Sequence, residues 1–347
     1  MIDLVLSQLI LDKHNELILG TNKTKKDRLY KKLENAVTNA RSKKVQVILS
    51  FLLSKMEKIV TGNIYELDHI RKKFDEYLDT LPPNRGKKKS KERQELYEKL
   101  EIFNKEYTYF YNSPEWNAYE FQKEIGVTVC PYCNSQFIFI YESSNGRTRA
   151  TLDHFFDKGR YPFLAMSIYN LVPSCKICNS DLKGKKITAL DTHYSPYEKN
   201  ISEYIHFRKE IIKDRKEQII SIDGKNNDKD IDFVSVILGY ENEYNIKIDI
   251  INAPKDIEQK IKGNKDLFHL EKIYNAYHKQ YVQDIILKSY IYNHAYRQQL
   301  SNTYKVFFNN PQQLRDVLMP PIESDKKNLL GKLTREIIEE ETKNFTL

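Results

Sequence analysis

The sequence predicts an α+β protein: a mostly helical chain with a small cysteine-framed module at its centre and a short β-containing region after it. Three observations predict this. Apolar residues recur at spacings of three and four through the first 120 residues, as in AVTNARSKKVQVILSFLLSKMEKIV. All four cysteines, Cys130, Cys133, Cys175 and Cys178, fall in two Cys-x-x-Cys pairs. Runs rich in β-branched and aromatic residues lie between and after those pairs. The expected division is a helical region over 1–120, the cysteine-framed module over 121–200, and a C-terminal region over 201–347 with strands first and helices after.

The 347 residues are 40% hydrophobic and 30% charged, the balance of a globular protein with a sizeable core. No run of about 18 apolar residues occurs, so no membrane span is expected. The opening MIDLVLSQLILDKHNELILG carries acidic residues and no basic leader, which argues for the cytoplasm. The formal net charge of +8 permits nucleic-acid binding without requiring it.

In the helical region, Pro82 and Pro83 end a helix. The basic run RGKKKSKER (85–93) then leads into the next helix, as a solvated linker or as an arm for phosphates. The stretch EYTYFYNSPEWNAYEF (106–121) holds the single Trp. It reads as packing that docks the helices onto the central module, with base stacking as the alternative.

In the module, QFIFIYE (136–142) and RTRATLDH (147–154) read as strands, with Asn145-Gly146 as a hairpin turn between them. A brief polar helix is expected from Cys175 to about Lys185. Beyond residue 200, IHFRKEIIKD, EQIISID and NIKIDII read as strands, with a turn at DGKNND. A long amphipathic helical pattern runs from KDLFHLEK to about residue 300. Pro320-Pro321 separates it from a last charged helix, NLLGKLTREIIEEETK.

A cytosolic chain seldom keeps disulfides, so two Cys-x-x-Cys pairs with no spare cysteine read as a metal site. A redox pair or chance are the alternatives. Cys133 and Cys175 are 42 positions apart. A zinc ion held by all four thiolates would staple the two ends of the module together. Such a site is closed and structural, with no open position for chemistry.

The chemistry is expected between the cysteine pairs. In order, the sequence reads CPYC, then LDH at 152–154, NL at 170–171, CKICN at 175–179 and KG at 183–184. This pattern, over residues 130 to roughly 186, resembles the HNH (ββα-metal) endonuclease family. The resemblance implies metal-dependent hydrolysis of phosphodiester bonds, most plainly in DNA. His154 would be the general base, since a neutral imidazole can take a proton from water near pH 7. Asn170 matches the residue that orients that ring. Asp153 matches the first ligand of a catalytic magnesium or manganese ion. Asn179 stands where many members have a His, and an amide oxygen favours a hard cation. Lys158, Arg160, Lys183, Lys185 and Lys186 are candidate phosphate contacts, or else parts of solvated basic turns. His193 is a further candidate ligand, or a packed histidine. The other Asp-His pair, Asp68-His69, has no such surroundings and reads as part of an ordinary helix.

The wider run LDHFFDKGRYPFLAMSIYNLVPSCKICN is similar to the nuclease subunit of Septu-like anti-phage defence systems. That likeness implies a helical frame around the nuclease module and an ATPase subunit as partner. The competing reading is a zinc-stapled nucleic-acid-binding or scaffold protein whose HNH module does not cut.

Overall fold

The computed structural model describes residues 2–20, 28–84, 86, 89–211, 244–305, 319 and 321–343. The expected strand EQIISID, the turn DGKNND, Pro320 and part of the basic run (85, 87 and 88) lie outside the described residues. The chain is α+β, as expected: helices dominate, and the described strands form three two-stranded antiparallel sheets. No described helix is long and apolar enough to cross a membrane. Contacts divide the chain into two compact units, Met1–Ile201 with Lys255–Asn264, and Ser202–Pro254 with Lys265–Leu347.

In the first unit, helices α1 (Gln8–Ile18), α2 (Arg28–Thr38), α3 (Lys43–Ser54), α4 (Met56–Thr61), α5 (Ile64–Asp79), α6 (Lys91–Asn112) and α7 (Ala118–Ile125) form the frame. Their ends follow from sequence. Asn63 and Glu66 close a reciprocal capping box on α5, and Ser90, within the basic run, caps α6. Each cap is worth about 1 kcal/mol. The apolar faces meet in a core that includes Leu49, Leu52, Leu67, Phe74, Leu100 and Phe103, all fully buried. Phe74 of α5 also packs on Phe163, with ring centroids 4.7 Å apart.

The aromatic stretch 106–121 does two things. Phe110, Trp116 and Phe121 face inward. The Trp116 indole N–H donates to His14 Nδ1 at 3.3 Å, and His14 Nε2 donates to the Met166 carbonyl at 2.7 Å. That chain ties α1 to the loop of the central module, which is the docking role expected of the stretch. Tyr107, Tyr111 and Tyr119 are instead exposed or half-buried.

The module begins with a knuckle in which the Cys130 N–H donates to the Gln136 carbonyl (2.9 Å) and the Asn134 N–H to the Cys130 carbonyl (2.7 Å). Asn134 takes a left-handed backbone, φ 50°. The knuckle uses the start of QFIFIYE. Only β1 (Tyr141–Ser143) pairs with β2 (Gly146–Thr148), and the turn is Ser144-Asn145, one position before the Asn-Gly dipeptide. Strand β3 (Thr151–His154) then pairs with β4 (Leu171–Ser174), in the register Leu152↔Pro173, Asp153↔Val172 and His154↔Leu171. A π-helix, Ile177–Lys183, follows. It closes on the Gly184 N–H to Asn179 carbonyl bond of 2.9 Å, with Gly184 at φ 51°. Two strands and a short helix, β3, β4 and Ile177–Lys183, therefore make up the centre of the module.

In the second unit, β5 (Ile205–Ile211) pairs in full register with β6 (Tyr244–Ile250). Helical side chains cap both outer edges of this ribbon. Glu336 and Glu340 accept from the Phe207 and Lys209 N–H groups, and Asn275 and Glu271 accept from those of Ile246 and Ile248. These four edge donors are thus satisfied by helical side chains. Helix α8 (Lys255–Leu267) belongs mostly to the first unit, which takes Lys255–Asn264. The helical pattern expected from Lys265 to about residue 300 is broken into the end of α8, α9 (Leu270–Tyr277), α10 (Lys279–Ile291) and α11 (His294–Thr303). His269, at φ 48°, makes the first break, and Asn293 caps the last helix. Helix α12 (Gly331–Lys343) ends the described chain.

Candidate functional site

The four cysteines converge. Their Sγ atoms are buried and lie within 4.8 Å of one another, with Cys133 and Cys175 4.0 Å apart. A tetrahedral ion with Zn–S bonds of about 2.3 Å has S–S edges of about 3.8 Å, so the group can hold a metal ion such as zinc. Burial pushes the Cys130 thiol up, whereas hydrogen bonds from the neighbouring thiols bring Cys133 down. A divalent cation supplies the positive charge that lets all four ionise together. Among the described residues, no other group of three or more His, Cys, Asp or Glu side chains converges in this way.

His154, at the end of β3, is half-buried. Its Nε2 lies 2.8 Å from the Ala165 carbonyl. A carbonyl can only accept, so Nε2 carries the proton and Nδ1 keeps its lone pair. No hydrogen bond to Nδ1 occurs among the described residues. Burial, and then the charge of Lys158, drive the imidazole down to about 3, so it is neutral at physiological pH. Tyr107 meets the ring edge-on at 4.8 Å.

Asn170 is fully buried and pins the loop that carries Ala165. Its Oδ1 accepts from the Phe156 N–H at 2.7 Å, and its Nδ2 donates to the Phe156 and Leu164 carbonyls at 3.1 and 2.9 Å. The resemblance implied a direct bond from this Asn to the His ring. The structure places it one step back: Asn170 holds the loop, and the loop's Ala165 carbonyl holds the ring.

Asp153 points away from His154, as neighbours on a strand do. It is buried, and its carboxylate is fully engaged. Lys183 Nζ lies 2.8 and 2.7 Å from its two oxygens, and the Tyr132 hydroxyl donates to Oδ2 at 2.7 Å. The same ammonium donates to the His154 carbonyl at 2.7 Å. Lys183, a candidate phosphate contact by sequence, is therefore a buried link between the π-helix and β3. Arg160 is drawn aside to Asp75 at 3.2 Å. Lys158, Lys185 and Lys186 are exposed. Asn179 is half-buried, and its side chain has no hydrogen-bond partner among the described residues. His193 bonds its neighbour Thr192 at 2.8 Å.

At the other Asp-His pair, Asp68 is buried in ion pairs with Arg71 and Lys72, and His69 is exposed on α5. Strand β4 had no sequence signal, because Pro173 argues against a strand; in a two-stranded ribbon its missing N–H can face away from the partner. Tyr132, Ala165 and Tyr107 were also missed. Ala165 acts through its backbone, which leaves no trace in residue type.

No protein-family model, curated protein or solved structure matches the chain.

Proposed function

We propose that this protein is an HNH-type endonuclease that hydrolyses phosphodiester bonds in DNA. The observation that supports the reading is the geometry at His154: a ring held by the Ala165 carbonyl at Nε2, with an Nδ1 that takes no hydrogen bond among the described residues. His154 takes a proton from the attacking water. Asn170 keeps the ring in place through the loop. Lys158, exposed beside His154, meets the negative charge of the phosphate.

The HNH likeness also implies magnesium or manganese at Asp153 and Asn179. The donors as arranged do not fit a resident divalent ion, because both oxygens of Asp153 already hold the Lys183 ammonium. An ion enters there only if Lys183 withdraws.

The same ion pair favours a second reading, a zinc-stapled binding or scaffold protein whose module does not cut. Nicking of supercoiled plasmid decides between them, with magnesium, manganese or EDTA present. On the nuclease reading the wild type nicks and His154→Ala does not, at unchanged zinc content. Equal nicking by both removes His154 as the base, and no nicking by either favours the scaffold.

A cytoplasmic role in anti-phage defence beside an ATPase subunit is proposed on the resemblance alone. Co-purification from the native host, followed by the same assay with and without the recovered partner, tests it.

A further inference from the structure

A line of aromatic rings and basic groups runs along the surface of the first unit and ends at His154. Arg147, on β2, lies over the Tyr119 ring at 5.6 Å. Arg149 lies 5.3 Å from the same ring and 4.4 Å from that of Tyr111. Tyr111 and Tyr107, one turn apart on α6, are 6.4 Å apart. Tyr107 then meets the His154 ring at 4.8 Å and carries the Lys158 ammonium over its face at 4.8 Å.

Several cations of the unit pair with carboxylates, as Lys13 does with Glu124, Lys32 with Glu106, Lys72 with Asp191 and Arg160 with Asp75; those on this line lie against tyrosine rings and converge on His154. Arg147, Arg149 and Lys158 have no ion pair among the described residues. Glu142 stands directly across from Arg147 in the hairpin register, yet it turns to Lys123 instead. Three unneutralised cations spaced along tyrosine faces offer phosphate contacts and ring faces together.

We propose that this line is a binding track for single-stranded nucleic acid, with the phosphates on Arg147, Arg149 and Lys158 and an unpaired base on Tyr111. A duplex presents phosphates but no free base faces, so only a single strand uses both halves of the track. The proposal rests on the nuclease reading in one respect, that the strand leads to the His154 site where it is cut. Binding itself does not need cutting.

The test is fluorescence anisotropy of the full chain in EDTA, with a labelled oligothymidylate of about 20 nucleotides, long enough to cover a typical single-strand site. Tyr111→Ala is expected to weaken binding about tenfold, the loss of one stacked base. Arg147→Gln with Arg149→Gln is expected to flatten the slope of log Kd against log salt by about 1.4, the loss of two phosphate contacts on a single strand. The matching duplex is expected to bind more weakly and to be indifferent to Tyr111→Ala. Unchanged affinity and salt slope in the Tyr111 and Arg variants, with circular dichroism and zinc content retained, overturns the proposal. So does a wild type that binds no strand, or one that prefers the duplex. A wild type that binds the strand through these residues but never cuts leaves the track standing and removes the nuclease reading.

Discussion

The ammonium of Lys183 sits on both carboxylate oxygens of Asp153, at 2.8 and 2.7 Å, with each side chain only 4% exposed. Thirty residues of sequence separate the two. The pair joins the end of the π-helix to β3, and Lys183 also bonds the His154 carbonyl at 2.7 Å. The backbone of the proposed base is thus held by a buried ion pair.

Breaking that pair from one side leaves a buried charge. Lys183→Met is expected to destabilise the protein by about 3–5 kcal/mol, read from chemical denaturation. Asp153→Asn with Lys183→Met is expected to recover much of the loss, since no unpaired charge remains. A single Lys183→Met variant as stable as the wild type contradicts the role of the pair.

The thiolate group is expected to hold one zinc ion per chain by atomic emission. Cys175→Ser is expected to lose that ion and to lower the melting temperature, because the ion joins segments 42 positions apart. Full zinc occupancy and an unchanged melting temperature in this variant contradict the staple.

Asn170 acts on His154 through the loop. Asn170→Ala orphans the Phe156 N–H and carbonyl and leaves the Leu164 carbonyl only its bond from the Ser167 N–H. Each buried orphan costs about 1–3 kcal/mol. The variant is expected to be less stable and to cut more slowly even where it is fully folded. Asn170→Asp restores the acceptor for Phe156 but not the two donors, and is expected to recover only part. Cutting at the wild-type rate by folded Asn170→Ala separates the loop from the base.

Acid is expected to destabilise the first unit through His14. That ring is buried between Trp116 and the Met166 carbonyl, and burial drives it down to about 4. An unfolded histidine takes up its proton near pH 6.5. Between those values the unfolded chain binds more protons, so stability is full above about pH 6.5 and falls as pH drops toward 4. Thermal melts from pH 7 to pH 4.5 read this loss. His14→Gln is expected to be less stable at pH 7 and to show a flatter decline. An equally steep decline assigns the acid sensitivity to other groups.

Much of the fold was legible because its signals are local. Helical spacing, the caps at Asn63 and Ser90, and the hairpin near Asn145 each depend on a few neighbouring residues. The same holds for the two Cys-x-x-Cys pairs, whose convergence followed from having four thiols and no spare. The break at His269 was not legible, because apolar spacing continues across it while the backbone turns to φ 48°. Strand β4 was hidden by Pro173.

For the candidate site, the sequence by itself determined the residue types and their order: a cysteine frame, Asp153-His154, Asn170 and Asn179. Only the tertiary structure decided what each side chain meets. Alternation along β3 sends His154 toward Tyr107 and the Ala165 carbonyl, and Asp153 toward Tyr132 and Lys183. It also separated Lys183, turned inward, from Lys158, left outside. The reason is that strand alternation fixes which neighbours diverge, whereas the partner on each face comes from distant segments that only packing brings together.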